Sequence, residues 1–492
     1  MKQHPNLPQP KNLLFATQEN RWPTTFTAVV SAILLAFLAG CASIDASKPE
    51  IDSRFENANF KPLVGSDAQP APADWWVGFS SNQLNTLMQK AQADNLNLAA
   101  TAARLRAAQA SLDAAQASFF PTLNFNAGRQ ENTVKGVSIQ GQATNNRGLF
   151  TSGSFSASYE IDLWSRVRNT AQAAELQLQA TRFELDAAKI SLAGELATTW
   201  TQWVAADQTV ALLEKELESF QTNLKLVELR FRQGSAVASD VLQQRQLVES
   251  AQGNLALANS NREVLLNSLS ILVGQAPNSL DLTREQLPTL PPIPATGIPA
   301  ELLNRRPDVQ QAWALVLSTD RSVAAAIANR FPQLSLRASF SDQTRSSDLL
   351  FDNWVRNLSV NLVAPLFDGG ARSAEVDRQR ALLDQAVAQY QAAALNALAD
   401  VDNALIQETR QREAVQSFQQ QLALAELSLK RLFAGYRNGS VDYLAILDAQ
   451  QSTSQLRRNL VNAQQQWVGF RIALYRALSG SIPQQSTAAD AS

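Results

Sequence analysis

The sequence predicts a mostly helical chain written twice, with four β-strands suited to a membrane barrel that one copy cannot close. Three observations carry this. Motifs recur between the two halves, four segments alternate apolar and polar residues, and between them run proline-free stretches too long for an ordinary globular domain.

The duplication is read from the residues themselves. Phe231-Arg232-Gln233-Gly234-Ser235 returns as Tyr436-Arg437-Asn438-Gly439-Ser440, and Val241-Leu242 returns as Ile446-Leu447. Phe119-Phe120-Pro121-Thr122-Leu123 corresponds to Arg330-Phe331-Pro332-Gln333-Leu334, and Ile161-Asp162-Leu163-Trp164 to Ala364-Pro365-Leu366-Phe367. Each half reads helix, strand, loop, strand, long helix, glycine turn, long helix. The first repeat spans 84–276, with strands about 121–131 and 150–162 and long helices 166–233 and 237–275. The second spans 300–478, with strands about 332–342 and 353–365 and long helices 371–437 and 441–478. A Pro- and Ser-containing linker, 277–299, joins them, a segment 41–83 precedes them and a tail, 479–492, follows.

The strands have period two. Phe155, Ala157, Tyr159 and Ile161 alternate with Ser154, Ser156, Ser158 and Glu160; Leu334, Leu336, Ala338 and Phe340 alternate with small polar residues and Arg337. Leu123, Phe125 and Ala127 do the same, as do Leu358, Val360 and Leu362. A half-buried strand over a soluble core looks like this, and so does a barrel strand with lipid outside and water inside, which needs about 9–11 residues. Four strands in two separated hairpins cannot close a barrel, because single-chain barrels begin at about eight. If the strands cross a membrane, several chains share one barrel. The stretches 129–149 and 342–353, rich in Gly, Asn, Ser and Thr, are then its exposed loops.

Residues 166–232 contain no proline, and as one helix would run about 100 Å at 1.5 Å per residue. Ala173, Leu176, Ala180, Phe183, Ala187, Ile190, Gly194 and Ala197 keep 3–4 spacing, as do Leu383, Val387, Tyr390, Ala394, Ala397 and Val401. That is the seam of a left-handed coiled coil, with alanine letting backbones approach closely. A plain dimeric coiled coil would explain the seams but gives the hairpins no purpose.

Composition narrows the function. With 42 basic and 44 acidic residues the net charge is −2, which offers no basic face for nucleic acid. The chain has one histidine, His4, and one cysteine, Cys41. Lys2, Lys11 and Arg21 precede an apolar run of about 15 residues ending at Gly40, the layout of a removable leader, 1–40, too short to be a stable span. Without the leader no histidine remains, so Ser-His-Asp and Cys-His catalysis and His-ligated metals are excluded. No nucleotide-binding signature is present. A conduit or scaffold is expected rather than an enzyme, with neither metal nor cofactor.

Leu38-Ala39-Gly40-Cys41 resembles a bacterial lipobox. The resemblance implies cleavage before Cys41 and lipidation of its sulfur and new amino group, enough chains for lasting membrane attachment. Ala42, where an aspartate would favour inner-membrane retention, implies the outer membrane. An ordinary secretory leader with an incidental cysteine is the alternative.

A wider resemblance covers about 50–480. Trp75-Trp76-Val77-Gly78-Phe79 leads into Leu84, Leu87, Ala91, Asn95, Leu98 and Ala102; Arg305-Arg306-Pro307-Asp308-Val309 opens the second half. Ala364-Pro365-Leu366-Phe367-Asp368-Gly369-Gly370 and Tyr436-Arg437-Asn438-Gly439-Ser440 with Tyr443-Leu444-Ala445-Ile446-Leu447-Asp448 follow. Together these resemble the TolC-like outer-membrane factors of tripartite efflux systems, in the OprM/NodT-type lipoprotein branch. The resemblance implies a homotrimer in the outer membrane of a Gram-negative bacterium. Four strands per chain then make a 12-stranded β-barrel, continuous with a long α-helical coiled-coil barrel that reaches into the periplasm. The partners it implies are outer-membrane lipid, a periplasmic adaptor and an inner-membrane pump of the resistance–nodulation–division class, serving passive exit of drugs or small toxic compounds. A type I protein-secretion duct and a pore-less lipid-anchored tether are the other readings.

In such a duct the chemistry is a constriction. Gly234-Ser235 and Gly439-Ser440 mark the turns at the helix tips, where an adaptor would dock. Leu444 and Asp448 lie one helical turn apart, and the family's corresponding leucine and aspartate point inward at the closed end. Tyr436 and Arg437 match residues that tie neighbouring helices shut. Ala445 and Gln451 stand where some relatives carry Asp and Arg. Asp240, at the first tip, is a further candidate.

Overall fold

The computed structural model describes residues 72–137, 143–294, 303–345, 350 and 352–479. The leader, Cys41 and the segment up to residue 71 lie outside the described residues, as do 295–302, at the end of the linker and the start of the second repeat, and the tail from residue 480.

A 3-10 turn at Trp75–Phe79 opens the described chain, followed by α1 (Asn82–Asp94), α2 (Leu96–Ala117), β1 (Thr122–Val137) and β2 (Ala143–Ile161). Then come α3 (Arg166–Arg232) and α4 (Ala238–Leu272). The second repeat is α5 (Pro307–Ala328), β3 (Gln333–Thr344), β4 (Trp354–Val363), α6 (Ala371–Arg437) and α7 (Tyr443–Leu478). The α3 and α6 helices are each 67 residues, about 100 Å long. Both repeats therefore place a strand hairpin at one end of a long helical hairpin. No described helix is long and apolar enough to cross a membrane.

Two expectations about the strands need correction. The hairpins are not separate: β2 pairs with β3, and the order β1-β2-β3-β4 makes one antiparallel sheet whose edges are β1 and β4. The stretch 129–149 is not mainly a loop. The β1–β2 ladder continues from Arg129↔Thr151 to Val137↔Ala143. Its sequence is rich in Gly, Asn, Thr and charged residues and has no apolar–polar period, so composition reads as loop. A cross-strand ion pair, Arg147–Glu131, lies along it.

Over the rows nearest the helices the two faces of the sheet differ in polarity. One carries the rows Leu123–Ala157–Ala338–Leu358, Tyr159–Leu336–Val360 and Ile161–Leu334–Leu362. The other carries Asn124–Ser156–Ser339–Asn357 and Thr122–Ser158–Arg337–Ser359. Leu123, Phe125, Leu358, Val360 and Leu362 are exposed in the single chain, as side chains facing lipid would be. Pro121 and Pro332 sit just before β1 and β3, and Pro365 just beyond β4, where no ladder N–H is lost.

The largest core lies midway along the helices. Trp75, Trp76 and Phe79 pack with Leu84, Leu87 and Met88 against Leu196, Trp200 and Val204 of α3 and Ile472 and Tyr475 of α7. Trp75 stacks on Tyr475 at 5.1 Å and 13°. After α4 the chain runs as an irregular strap, 275–294, around this core. Asp207 of α3 pairs with Arg262 of α4 and Arg284 of the strap, at 3.2 and 2.8 Å. Further along, Arg471 of α7 forms a buried pair with Glu408 of α6 and donates to the carbonyls of Pro291 and Pro292. The Arg306-Pro307-Asp308 motif opens α5: Arg306 donates to Asp308 (2.7 Å) and to Asp400 of α6 (3.0 Å), tying the start of the second repeat to its long helix.

Candidate periplasmic gate at the helix tips

At the end remote from the strands both long hairpins turn in the same way. Gly234 and Gly439 each have φ of 73°, a left-handed backbone that glycine adopts without steric cost. Ser235 N–H donates to the Arg230 carbonyl (2.8 Å) and Gly234 N–H to that of Phe231 (3.0 Å). Ser440 and Gly439 repeat this onto Gly435 and Tyr436, at 3.0 and 3.1 Å. These are paired Schellman closures that satisfy the last helix carbonyls. Gly234, Ser235, Gly439 and Ser440 thus lie exposed or half-exposed at the two tips.

Asp240 has a local role. Its carboxylate accepts from the Val237 N–H at 3.4 Å, in the first turn of α4, where negative charge suits the helix dipole.

The second tip divides into a wet and a dry face. Tyr443, Ile446, Leu447 and Gln450 of α7 are buried, whereas Leu444 and Asp448 are exposed, Leu444 by 55 %. The i, i+4 spacing aims both at the same side. Among the described residues Asp448 makes no ion pair or side-chain hydrogen bond.

The dry face is held by a hydrogen-bonded chain that crosses from one repeat to the other. Tyr443 Oη donates to Gln244 Oε1 of α4 at 2.7 Å, and Gln244 Nε2 donates to the Phe220 carbonyl of α3 at 2.8 Å. The Tyr436 ring lies 5.3 Å from that of Tyr443, with the Arg230 guanidinium 4.3 Å above it. The two repeats are thereby clasped at their tips around Phe220, Val227, Val248 and Ile446. Burial is the main cause pushing the Tyr443 hydroxyl above its ordinary pKa, with Tyr436 and Asp240 adding to it, so it remains a donor. The signal available in the sequence was Gln244, a lone amide on the apolar stripe of Val241, Leu247 and Val248. Arg437 is exposed and makes no ion pair among the described residues; Tyr436, not Arg437, bridges the helices within one chain.

Tyr443→Phe removes the donor and leaves a buried Gln244 oxygen unpaired, at a cost of about 1–3 kcal/mol. Hydrogen exchange of amides 440–450 is expected to quicken roughly five- to 150-fold, with exchange near Trp200 unchanged. Uniform exchange across both regions would rule out a local clasp.

An open-edged sheet with one lipid-compatible face, continued by helices of about 100 Å, defines a channel protein assembled from several copies. The particular family follows from comparison: the model described as "Outer membrane efflux protein" matches residues 87–275 and 298–480, one match per repeat, and the chain belongs to that family. The chain is 30 % identical over 92 % of its length to the pyoverdine export outer membrane protein OpmQ of Pseudomonas aeruginosa, covering 96 % of that protein. It is 29 % identical over 86 % of its length to the cation efflux system protein CusC of Escherichia coli, covering 91 % of it. Among solved structures, VceC of Vibrio cholerae superposes with a TM-score of 0.76 at 25 % identity, over 84 % of this chain and all of that one. OprN superposes with a TM-score of 0.82 at 23 % identity, over 90 % of this chain and 99 % of that one. The chain is an outer-membrane efflux channel protein of the tripartite type, and the family's channels are trimers that work with adaptors and inner-membrane pumps.

Proposed function

We propose that this chain forms a homotrimeric duct, anchored by lipid on Cys41, which passes small toxic compounds from a periplasmic adaptor and a proton-driven inner-membrane pump to the exterior. Its resting state is closed at the helix tips. Threefold repetition of Leu444 and Asp448 gives an apolar ring followed one turn later by a carboxylate ring, which obstructs solutes and favours cations in the residual pore. The adaptor engages the tips at Gly234-Ser235 and Gly439-Ser440 and draws the α6–α7 coiled coil outward. Energy for transport comes from the pump, and the duct itself catalyses nothing. The pyoverdine and cation names of the two relatives support small solutes as cargo.

The observation that carries the gate is the division of α7: Tyr443, Ile446 and Leu447 face the protein, while Leu444 and Asp448 turn away from it unpaired. The purified trimer carrying Tyr436→Ala with Asp448→Ala is expected to conduct several-fold more than wild type in planar bilayers, and to lose cation preference. Conductance and selectivity both unchanged would refute the assignment.

A further inference from the structure

The three ladders keep one register from end to end, without a bulge, so each residue of the sheet has a fixed face. The face opposite Leu123, Leu336 and Leu358 is the one a closed barrel turns to water. Near the helices it is a wall of short polar side chains, with Asn124, Ser156, Ser339 and Asn357 in one row. Among the described residues two cations, Arg337 and Arg345, and one aromatic ring, Phe150, stand on this face.

Arg337 sits on an inner strand of the sheet, between Ser158 of β2 and Ser359 of β4, and is exposed. It makes no hydrogen bond or ion pair among the described residues. Glu160 is the one carboxylate on the same face of the described strands, and it is already taken. Arg166, at the start of α3, donates Nε to its Oε1 at 3.0 Å and Nη2 to its Oε2 at 2.7 Å. Glu131 and Asp342 share the parity of Leu123 and Leu336, so their backbone positions belong to the outer face. Toward the other end of the sheet Arg345 follows β3, about 26 Å along the strand from Arg337. Its guanidinium lies 5.5 Å from the centre of the Phe150 ring, within cation–π range. That ring lies over Gly148, where a Cβ would meet it at 2.8 Å.

We propose that the barrel end of the duct receives carboxylate-bearing organic anions at Arg337, and that Phe150 with Arg345 forms a platform on which an aromatic member of that class stacks. A guanidinium offers a planar fork of donors that matches a carboxylate, and at Arg337 no protein group uses it. Three copies bring three such forks to one water-filled wall, and rings of arginine favour anions. The inference rests on the homotrimeric duct and names a class of cargo for it.

The two ends of the duct then carry opposite preferences. Asp448 lies at the tips, about 100 Å from the strands, far beyond a Debye length of about 8 Å at physiological salt. The carboxylate ring therefore does not cancel the arginine ring. The constriction at the tips sets the cation preference of the resting pore, and Arg337 acts on what has passed an opened tip. Because the guanidinium lies in water, its attraction for an anion is modest and screened by salt, as suits a passage that must release its cargo.

The test uses full-length trimer in a zwitterionic detergent at low salt and two probes, benzene-1,3,5-tricarboxylate and propane-1,2,3-tricarboxylate. Both are fully ionised at about pH 8, well above the carboxylate range, and only the first has a ring. Their dissociation constants are read by ligand-observed saturation-transfer NMR. Arg337→Gln is expected to raise both constants about three- to fivefold, the loss of an exposed ion pair. Arg337→Lys, which keeps the charge and loses the fork, is expected to fall between Arg337→Gln and wild type. Phe150→Leu is expected to weaken the benzene probe alone, about threefold. Arg129→Gln, on the outer face by strand parity, is expected to change neither constant. Wild-type trimer that binds neither probe, or binds both as well after Arg337→Gln, would overturn the anion site while leaving the duct standing. Wild-type protein that purifies as single chains would refute the duct, and the site with it.

Discussion

Glu408→Ala is expected to destabilise the duct by about 3–5 kcal/mol, because it leaves a buried guanidinium without its counter-charge. Glu408 and Arg471 have side-chain exposures of 2 % and 3 %, and Arg471 Nε lies 3.0 Å from both carboxylate oxygens. Arg471 Nη2 also donates to Glu408, Nη1 donates to the Pro291 and Pro292 carbonyls, and the cation lies over the Tyr475 ring at 5.9 Å. One node thus joins α6, α7, the strap and, through Tyr475, the tryptophan core. Burial works to lower the Arg471 pKa, and the hydrogen bonds and charge of Glu408 outweigh it and hold the pKa above its ordinary value; because a guanidinium is not deprotonated in proteins, removing Glu408 leaves that charge buried and unpaired. A large assembled channel does not unfold in two states, so the quantity to measure is the half-life of folded trimer at fixed temperature. Glu408→Ala and Arg471→Ala should each shorten it steeply. Glu408→Leu with Arg471→Met, which removes both charges while keeping bulk, should restore much of the loss. A double variant as unstable as the sum of the singles would show that the node acts through bulk or through the proline carbonyls, not through charge pairing.

Features governed by local rules were legible in the sequence. The long helices followed from the absence of proline and the 3–4 spacing of small apolar residues. Their tips followed from Gly234 and Gly439, whose backbone angle is the same in both repeats. The central parts of the strands showed in their alternation. Their outer extensions did not, because the sequence of 129–137 and 143–148 has no apolar–polar period to read. The β2–β3 pairing was hidden for another reason: it joins residues on either side of two long helices, and no local signal reports such a partner. The clasp and the buried node share that difficulty. Tyr443 and Gln244 are 199 residues apart and Arg471 and Glu408 are 63 apart. Arg471 did leave a trace, a single cation on the buried stripe of Val468, Ile472, Tyr475 and Leu478. A charge placed where the helix period demands an apolar residue implies a buried counter-charge, but the period cannot say on which helix it stands.

Gly274→Ala is expected to be the most damaging of the glycine substitutions, and the comparison with the tip glycines shows why. Gly234, Gly274 and Gly439 all have φ of 73° and all close a Schellman turn; at Gly274 the N–H of Gln275 reaches the Ser270 carbonyl at 2.8 Å. Left-handed backbone costs any other residue roughly 1–2 kcal/mol, so on conformation alone the three should respond alike. Their surroundings differ. A Cβ on Gly234 or Gly439 would meet nothing within 4 Å, whereas one on Gly274 would lie 2.2 Å from the Asp94 carbonyl oxygen. That oxygen belongs to backbone fixed at the break between α1 and α2, where Asn95 Nδ2 donates to the Leu272 carbonyl and Asn95 Oδ1 accepts from the Leu98 N–H, both at 2.9 Å. No rotamer change relieves such a clash; the α1–α2 corner must move off the end of α4, taking Leu84 and Leu87 away from the tryptophan core. Gly234→Ala and Gly439→Ala should therefore assemble with a modest loss of half-life, while Gly274→Ala should yield little folded trimer. Equal losses at all three positions would mean that backbone strain alone governs these turns and that the corner is free to shift.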